Sequence, residues 1–236
     1  MPWDFWLIFS VLAIVIPWRG RMRLQTLLER PAVGTKEKLV LYGSTIAFQW
    51  VLMGIVAWRA FARGLTAGQL GLVSHFTVRL FLLTLLGGVL FGAFQWFNLR
   101  RVSRMTGEVP DFMRKLARRI LPGTSLEFAP YFALAVTAGV CEEFLYRGFA
   151  MAALARAGLA TWAVVLISSV LFGLAHTYQG KNGVVGTALM GLILGVARVV
   201  FQSLVPVMVW HSIVDIVAGI AGSRYLLVVS ETDGGS

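Results

Sequence analysis

"CEEFLYRGFA", residues 141–150, places two adjacent carboxylates and a guanidinium inside a run that is otherwise Ala, Val, Phe and Leu. The apolar stretch around it, 130–155, is long enough to cross a bilayer, which takes about 20 mostly apolar residues. A charged side chain at mid-membrane costs about 2.5 kcal/mol or more, so such groups usually mark a site. Glu143 and Arg147 are four residues apart and share a helix face, where they can pair. Glu142 points about 100° away from Glu143 at 3.6 residues per turn. The stretch therefore predicts a membrane helix with an internal ion pair and one carboxylate left to face a different neighbour.

The composition agrees with that reading. The 236 residues are 58% hydrophobic and 14% charged, with a mean hydropathy of +0.77; soluble domains run at about 45–50% and about 25%. The chain reads as all-α, a polytopic transmembrane helix bundle of about seven spans with an amphipathic interfacial helix. The spans fall at 3–18, 39–58, 78–97, 130–155, 160–176, 183–201 and 204–222. The fifth and seventh are short enough to be re-entrant or tightly coupled to neighbours. No polar linker or repeat divides the chain, so 1–236 reads as a single membrane domain. Asp4 stands where a signal peptide would carry basic residues, so the first apolar stretch is expected to be an uncleaved span.

The net charge is +10, from 21 Lys+Arg against 11 Asp+Glu. These basic residues cluster between apolar segments, as the positive-inside rule and anionic headgroups require. The first loop (Arg19, Arg21, Arg23, Arg30, Lys36, Lys38) and the third (Arg100, Arg101, Arg104, Arg114, Lys115, Arg118, Arg119) are expected to be cytoplasmic, with the N-terminus outside. Membrane lipids are the expected partner of this charge, and no nucleic acid is expected, since neither a binding motif nor a soluble basic face occurs. Within the third loop, "VPDFMRKLARRILPG" (109–123) groups Phe112, Met113, Leu116 and Ile120 apart from its cations. It reads equally as a helix lying on the membrane surface or as a basic connecting helix. The single Cys141 rules out an intrachain disulfide. Gly191 and Gly195 form a small-residue pair of the kind that lets helices approach closely.

Ionisable groups are unevenly spread. In the first three spans the main polar residues are Gln49 and Gln95. The later spans hold Glu142, Glu143, Arg147, His176, His211 and Asp215, while His75 reads as an ordinary surface residue. Phe172 and His176 are four apart, as are His211 and Asp215, so three helices can each offer a polar face to one interior point. Taken singly, each group could be structural: an interhelical ion pair, an interfacial histidine, a self-satisfied His–Asp pair. Their recurrence on consecutive segments argues for chemistry. Peptide hydrolysis needs a base for water and a stabiliser for the oxyanion. No serine or cysteine triad is apparent, Cys141 reading as a packed hydrophobe. A carboxylate with two imidazoles is the inventory of a water-activating hydrolase, with or without zinc.

Three motifs, in order, carry a resemblance. "EEFLYR" (142–147) fits E-E-x-x-x-R, "FGLAH" (172–176) fits F-x-x-x-H, and "HSIVD" (211–215) fits H-x-x-x-[N/D]. Together they resemble the CAAX protease and bacteriocin-processing family, which includes the type II CAAX prenyl endopeptidases. The resemblance covers about 125–222, the implied catalytic core. It implies an intramembrane endopeptidase in which Glu142 activates water. His176, His211 and Asp215 would position that water, bind a metal or stabilise the oxyanion, and Glu143 and Arg147 would hold the architecture. The expected form is a metalloendopeptidase with Zn2+ on Glu142, His176, His211 and Asp215, a metal-free mechanism being the alternative. Position 215 is Asp where the eukaryotic prenyl proteases have Asn. The implied substrate is a protein or peptide, with or without a lipid. The implied location is that of a multi-pass integral membrane protein, in the plasma (inner) membrane if the source is prokaryotic. Two other readings are a non-catalytic member of the same family, of bacteriocin-immunity type, and a proton-coupled transporter. Against the transporter, the two halves are unlike and no inverted repeat occurs.

Overall fold

The computed structural model describes residues 1–30, 32–73 and 77–227; His75 lies outside the described residues. The apolar runs become helices because a helix satisfies every backbone group within one segment, which lipid demands. Among the described residues there are eight helices and no strand. They are α1 (Trp3–Glu29), α2 (Thr35–Ala62), α3 (Val78–Ser103), α4 (Glu108–Ile120), α5 (Ser125–Arg156), α6 (Thr161–Ala175), α7 (Gly180–Phe201) and α8 (Val205–Leu226). Start signals are local: Glu37 accepts the Gly34 N–H at 2.6 Å, Thr77 accepts the Leu80 N–H at 3.1 Å, and Pro206 sits in the first turn of α8. Wider π turns interrupt α1 at Val11–Val15 and α5 at Phe144–Ala150.

Among the described residues six helices are long and apolar enough to cross a membrane: α1, α2, α3, α5, α8 and α7 with its preceding turn. The expected span at 160–176 is different. As α6 it has 15 residues, about 22 Å at 1.5 Å per residue, against a hydrocarbon core of about 30 Å. It ends because His176 leaves the helical region, at φ −99° and ψ 21°. A short turn, Thr177–Gln179, then starts the return through α7.

Two packing relationships position the polar residues. First, α2 and α5 run parallel. Lys38 meets Glu127, the Tyr42 and Tyr131 rings make an edge contact at 5.7 Å, Trp50 Nε1 donates to Thr137 Oγ1 at 3.2 Å, and Arg156 donates to the Arg63 carbonyl at 2.6 Å. Second, α8 is held between α3 and α5. Trp210 Nε1 donates to the Thr84 carbonyl at 2.8 Å, and Gly139 of α5 lies so close to α8 that a Cβ there would stand 2.8 Å from the Met208 carbonyl oxygen. The small-residue pair of α7 packs on α6, Gly191 against Ser169 and Gly195 against Val165. The main core gathers Phe5 and Leu12 from α1, Val56 from α2, Tyr146 and Phe149 from α5, Phe172 from α6, and Leu194 and Trp210 from the last two helices.

The two ends of the bundle are pinned separately. At one end Lys38 Nζ donates to Leu121 O at 2.6 Å and pairs with Glu127 at 3.1 Å, joining loop one to the α4–α5 turn. Here α4 lies with Ala117 buried beside Leu99, Ala221 and Leu226, and with Lys115 and Arg118 exposed. At the other end Asp4 takes Arg59 at 2.6 Å and Arg63 at 3.0 Å. Loops one and three therefore share one face, and loop two lies on the other.

Candidate active site

Helix α5 carries Glu142, Glu143 and Arg147 at its middle. The π turn that follows the glutamates buries all seven of its residues, Arg147 included. Such turns often accompany functional positions. Arg147 Nη1 lies 2.9 Å from Glu143 Oε1, and both side chains are fully buried. The guanidinium also stacks over the Phe172 ring, 4.2 Å from its centroid. Room for it comes from Gly191 of α7, where a Cβ would stand 3.0 Å from Nη2. A charge that is paired, stacked and enclosed is a structural element.

The histidines arrive from two other directions. From α8, His211 Nδ1 is 2.8 Å from Glu143 Oε1. A carboxylate can only accept, so the Nδ1 proton points at Glu143 and leaves Nε2 on the opposite side of the ring. That Nε2 is 3.6 Å from Asp215 Oδ2, one turn along the same helix. From the end of α6, His176 Nδ1 is 2.8 Å from the Phe172 carbonyl. By the same argument its Nε2 is the acceptor, and it faces Glu142 Oε2 at 3.8 Å. Phe172 is the shared spacer: its ring meets the rings of Tyr146, His176 and His211 edge-on.

Glu142 differs from its neighbour. Its Oε1 accepts Gln49 Nε2 from α2 at 2.7 Å, while Oε2 has no hydrogen-bond partner. The Glu142 side chain keeps 19% of its exposure and that of Asp215 34%, against none for Glu143. Each carboxylate leaves its Oε2 without a partner, but Glu143 is fully enclosed and tied to Arg147 and His211, whereas Glu142 keeps part of its exposure and turns Oε2 toward His176. The backbone around His176 is non-helical at membrane depth, which is tolerated where it is enclosed by protein or lines a wet cavity. Its groups are served locally, by His176 N–H to Gly173 O at 3.0 Å and Gln179 N–H to His176 O at 2.9 Å.

Residues 124–217 match the family of the Type II CAAX prenyl endopeptidase Rce1-like proteins. The match covers 94 of the 236 residues, about two fifths of the chain. Comparisons with curated proteins and with solved structures give no match. The matched segment contains Glu142, Glu143, Arg147, His176, His211 and Asp215, and it begins beyond α1, α2 and α3. With six long apolar helices among the described residues, the chain is an integral membrane protein, and its segment 124–217 is similar to this protease family.

All six residues singled out from the sequence lie in one cluster, built from α5, the α6–α7 turn and α8. The expected zinc ligand set of Glu142, His176, His211 and Asp215 does not assemble as placed. Among the described residues no three His, Cys, Asp or Glu side chains converge as metal ligands. The reason is competition: Glu142 is drawn toward Gln49, His211 toward Glu143, and Asp215 sits a turn away. Gln49 went unassigned in the sequence, although its signal was there, a lone carboxamide in the middle of an apolar span.

Proposed function

We propose that the protein is an intramembrane endopeptidase in which Glu142 activates the attacking water. The observation that carries this reading is the unpartnered Glu142 Oε2, on a side chain that is 19% exposed, 3.8 Å from the acceptor nitrogen of His176. A polar pair at that separation is one that a water can join. Water held there gives one proton to Glu142 and a hydrogen bond to His176 Nε2. Its oxygen attacks the peptide carbonyl carbon, forming the C–O bond as the carbonyl π electrons move to oxygen. Glu142 then returns the proton to the leaving nitrogen as the C–N bond breaks. His211 and Asp215 border the place where the oxyanion forms; flanked by the Glu143 and Asp215 carboxylates, His211 in its imidazolium form carries a second N–H on Nε2 that can donate to the oxyanion. Glu143 and Arg147 touch no reactant in this scheme; they hold His211 and Phe172.

The substrate on this reading is a peptide segment of a membrane-associated protein, with or without a lipid, and a prokaryotic source would place the enzyme in the inner membrane. A zinc-assisted version needs Glu142, His176, His211 and Asp215 to draw closer together than they are. The immunity-type and transporter readings gain no support from the geometry.

The test is cleavage of a quenched peptide library by purified protein in lipid vesicles. Glu142→Gln keeps the shape but cannot accept the proton, so it should lose about 10²–10⁴-fold in rate while folding normally. Native-rate cleavage by that variant, or no cleavage by the wild type across substrates and pH, would sink the reading.

A further inference from the structure

Gln49 sits on α2, outside the segment that matches the protease family. Its Nε2 donates to Glu142 Oε1 at 2.7 Å, and the register that brings it there is fixed above and below. Lys38 and Tyr42 tie the start of α2 to Glu127 and Tyr131, and Trp50, the next residue, donates to Thr137. The parallel α2–α5 pair thus aims one carboxamide at one carboxylate oxygen. A carboxylate on a flexible side chain has no reason to hold a single orientation in an apolar setting unless something holds it.

We infer that Gln49 is a positioning residue for the reaction: by holding Oε1 of Glu142, it leaves Oε2 turned toward His176 Nε2 and the attacking water. Stability alone does not account for the residue. Its own Oε1 is shielded from solvent and has no partner, an arrangement that a methionine of similar length would avoid. The neighbours on α2, Phe48, Val51, Leu52 and Met53, are all apolar. The consequence is that the reaction needs more than the family segment, because the catalytic carboxylate is oriented from the N-terminal half.

This inference rests on Glu142 being the base, and the experiment separates the two. The full chain carrying Gln49→Met, and separately Gln49→Ala, is reconstituted in vesicles and compared with wild type on a peptide the wild type cleaves. Rates are divided by the folded fraction read from thermal unfolding. The expected result is a kcat roughly 10-fold to 10²-fold lower, KM changed by less than about twofold since substrate binding is untouched, and unfolding temperature kept or raised for Met. Adding Gln49→Met to Glu142→Gln should lower the residual rate no further, as for two residues acting as a unit. Native kcat in both Gln49 variants, with Glu142→Gln inactive, overturns the positioning role and leaves the base assignment standing. So does a loss that vanishes after correction for folded protein, or one confined to KM. An active Glu142→Gln overturns the base itself, whatever Gln49 does.

Discussion

His211 Nδ1 lies 2.8 Å from Glu143 Oε1, and that same oxygen accepts Arg147 Nη1 at 2.9 Å. One carboxylate oxygen thereby joins α8 to α5 at a point with no access to solvent. Breaking a buried pair by removing one partner leaves the other charge uncompensated. Arg147→Ala should therefore cost about 3–5 kcal/mol, read as lowered thermal stability and folded yield in detergent. Arg147→Met combined with Glu143→Leu should recover part of the loss, because no charge is then left alone. Wild-type stability in Arg147→Ala would show that the pair is not the tie between helices.

The two histidines should fail differently. His211 bonds to a different helix, and a hydrogen bond to a charged group contributes about 1.5–3 kcal/mol. His211→Ala should thus lose both cleavage and stability. His176 bonds within its own turn, to Phe172 O, so His176→Ala should lose cleavage with the smaller drop in unfolding temperature. Parallel melting curves and rate measurements decide it; the reverse order would contradict the assignment of His211 to the scaffold as well as the site.

Glycines of α7 offer a steric comparison. A Cβ at Gly191 would stand 3.0 Å from Arg147 Nη2 and 3.2 Å from Ser169 Cα, whereas at Gly186 it would meet nothing within 4 Å. Gly191→Ala should cost about 1–3 kcal/mol through overpacking and displace the guanidinium. Gly186→Ala should be neutral or stabilising by up to about 1 kcal/mol. Equal melting temperatures for the two variants would mean that Arg147 does not depend on that gap.

Chelation bears on the chemistry directly. Since no three ligating side chains converge among the described residues, cleavage should persist after dialysis against a strong chelator. Activity lost on chelation and restored by zinc would instead mean that a metal gathers Glu142, His176 and His211 into a set.

Sidedness is open to thiol labelling. Lys36 and Arg104 are exposed at one end of the bundle and Ala157 at the other. With Cys141→Ala as background, cysteines at 36 and 104 should both resist a membrane-impermeant reagent in intact cells, in line with the Lys/Arg bias of their loops, and a cysteine at 157 should label. Opposite behaviour of 36 and 104 would break the arrangement of α2 and α3.

How much of this was legible in the sequence depended on whether the interaction was local. Apolar length located the core of every helix except α4, which showed as an amphipathic repeat, but α2 begins at Thr35 and ends at Ala62 rather than spanning 39–58, because Lys38 and Arg59 have partners that keep them helical. The Glu143–Arg147 pair was readable from its spacing of four. The bond from His211 to Glu143 was not, since 68 residues separate them and only packing of α8 on α5 sets their distance. The same holds for Gln49 and Glu142. The shortness of α6 was half visible: its apolar run ends at a histidine, but only the turn at His176 shows that the chain stops there. The spacing showed which donors can share a face, and not which other partners hold them in this arrangement, as Gln49 holds Glu142 and Glu143 holds His211.

The 15 residues of α6 have a consequence for the surrounding lipid. An element about 8 Å shorter than an average hydrocarbon core forces the acyl chains beside it to shorten or leaves a notch. Mismatch of this kind costs a fraction of a kcal/mol per Å, and that cost is smaller in a thinner bilayer. The turn carrying His176 lies at one end of this short helix, packed on Pro17 and Gly20 of α1. Bilayer thickness thereby becomes a setting that acts on the histidine turn, imposed by the host membrane and not written in any side chain.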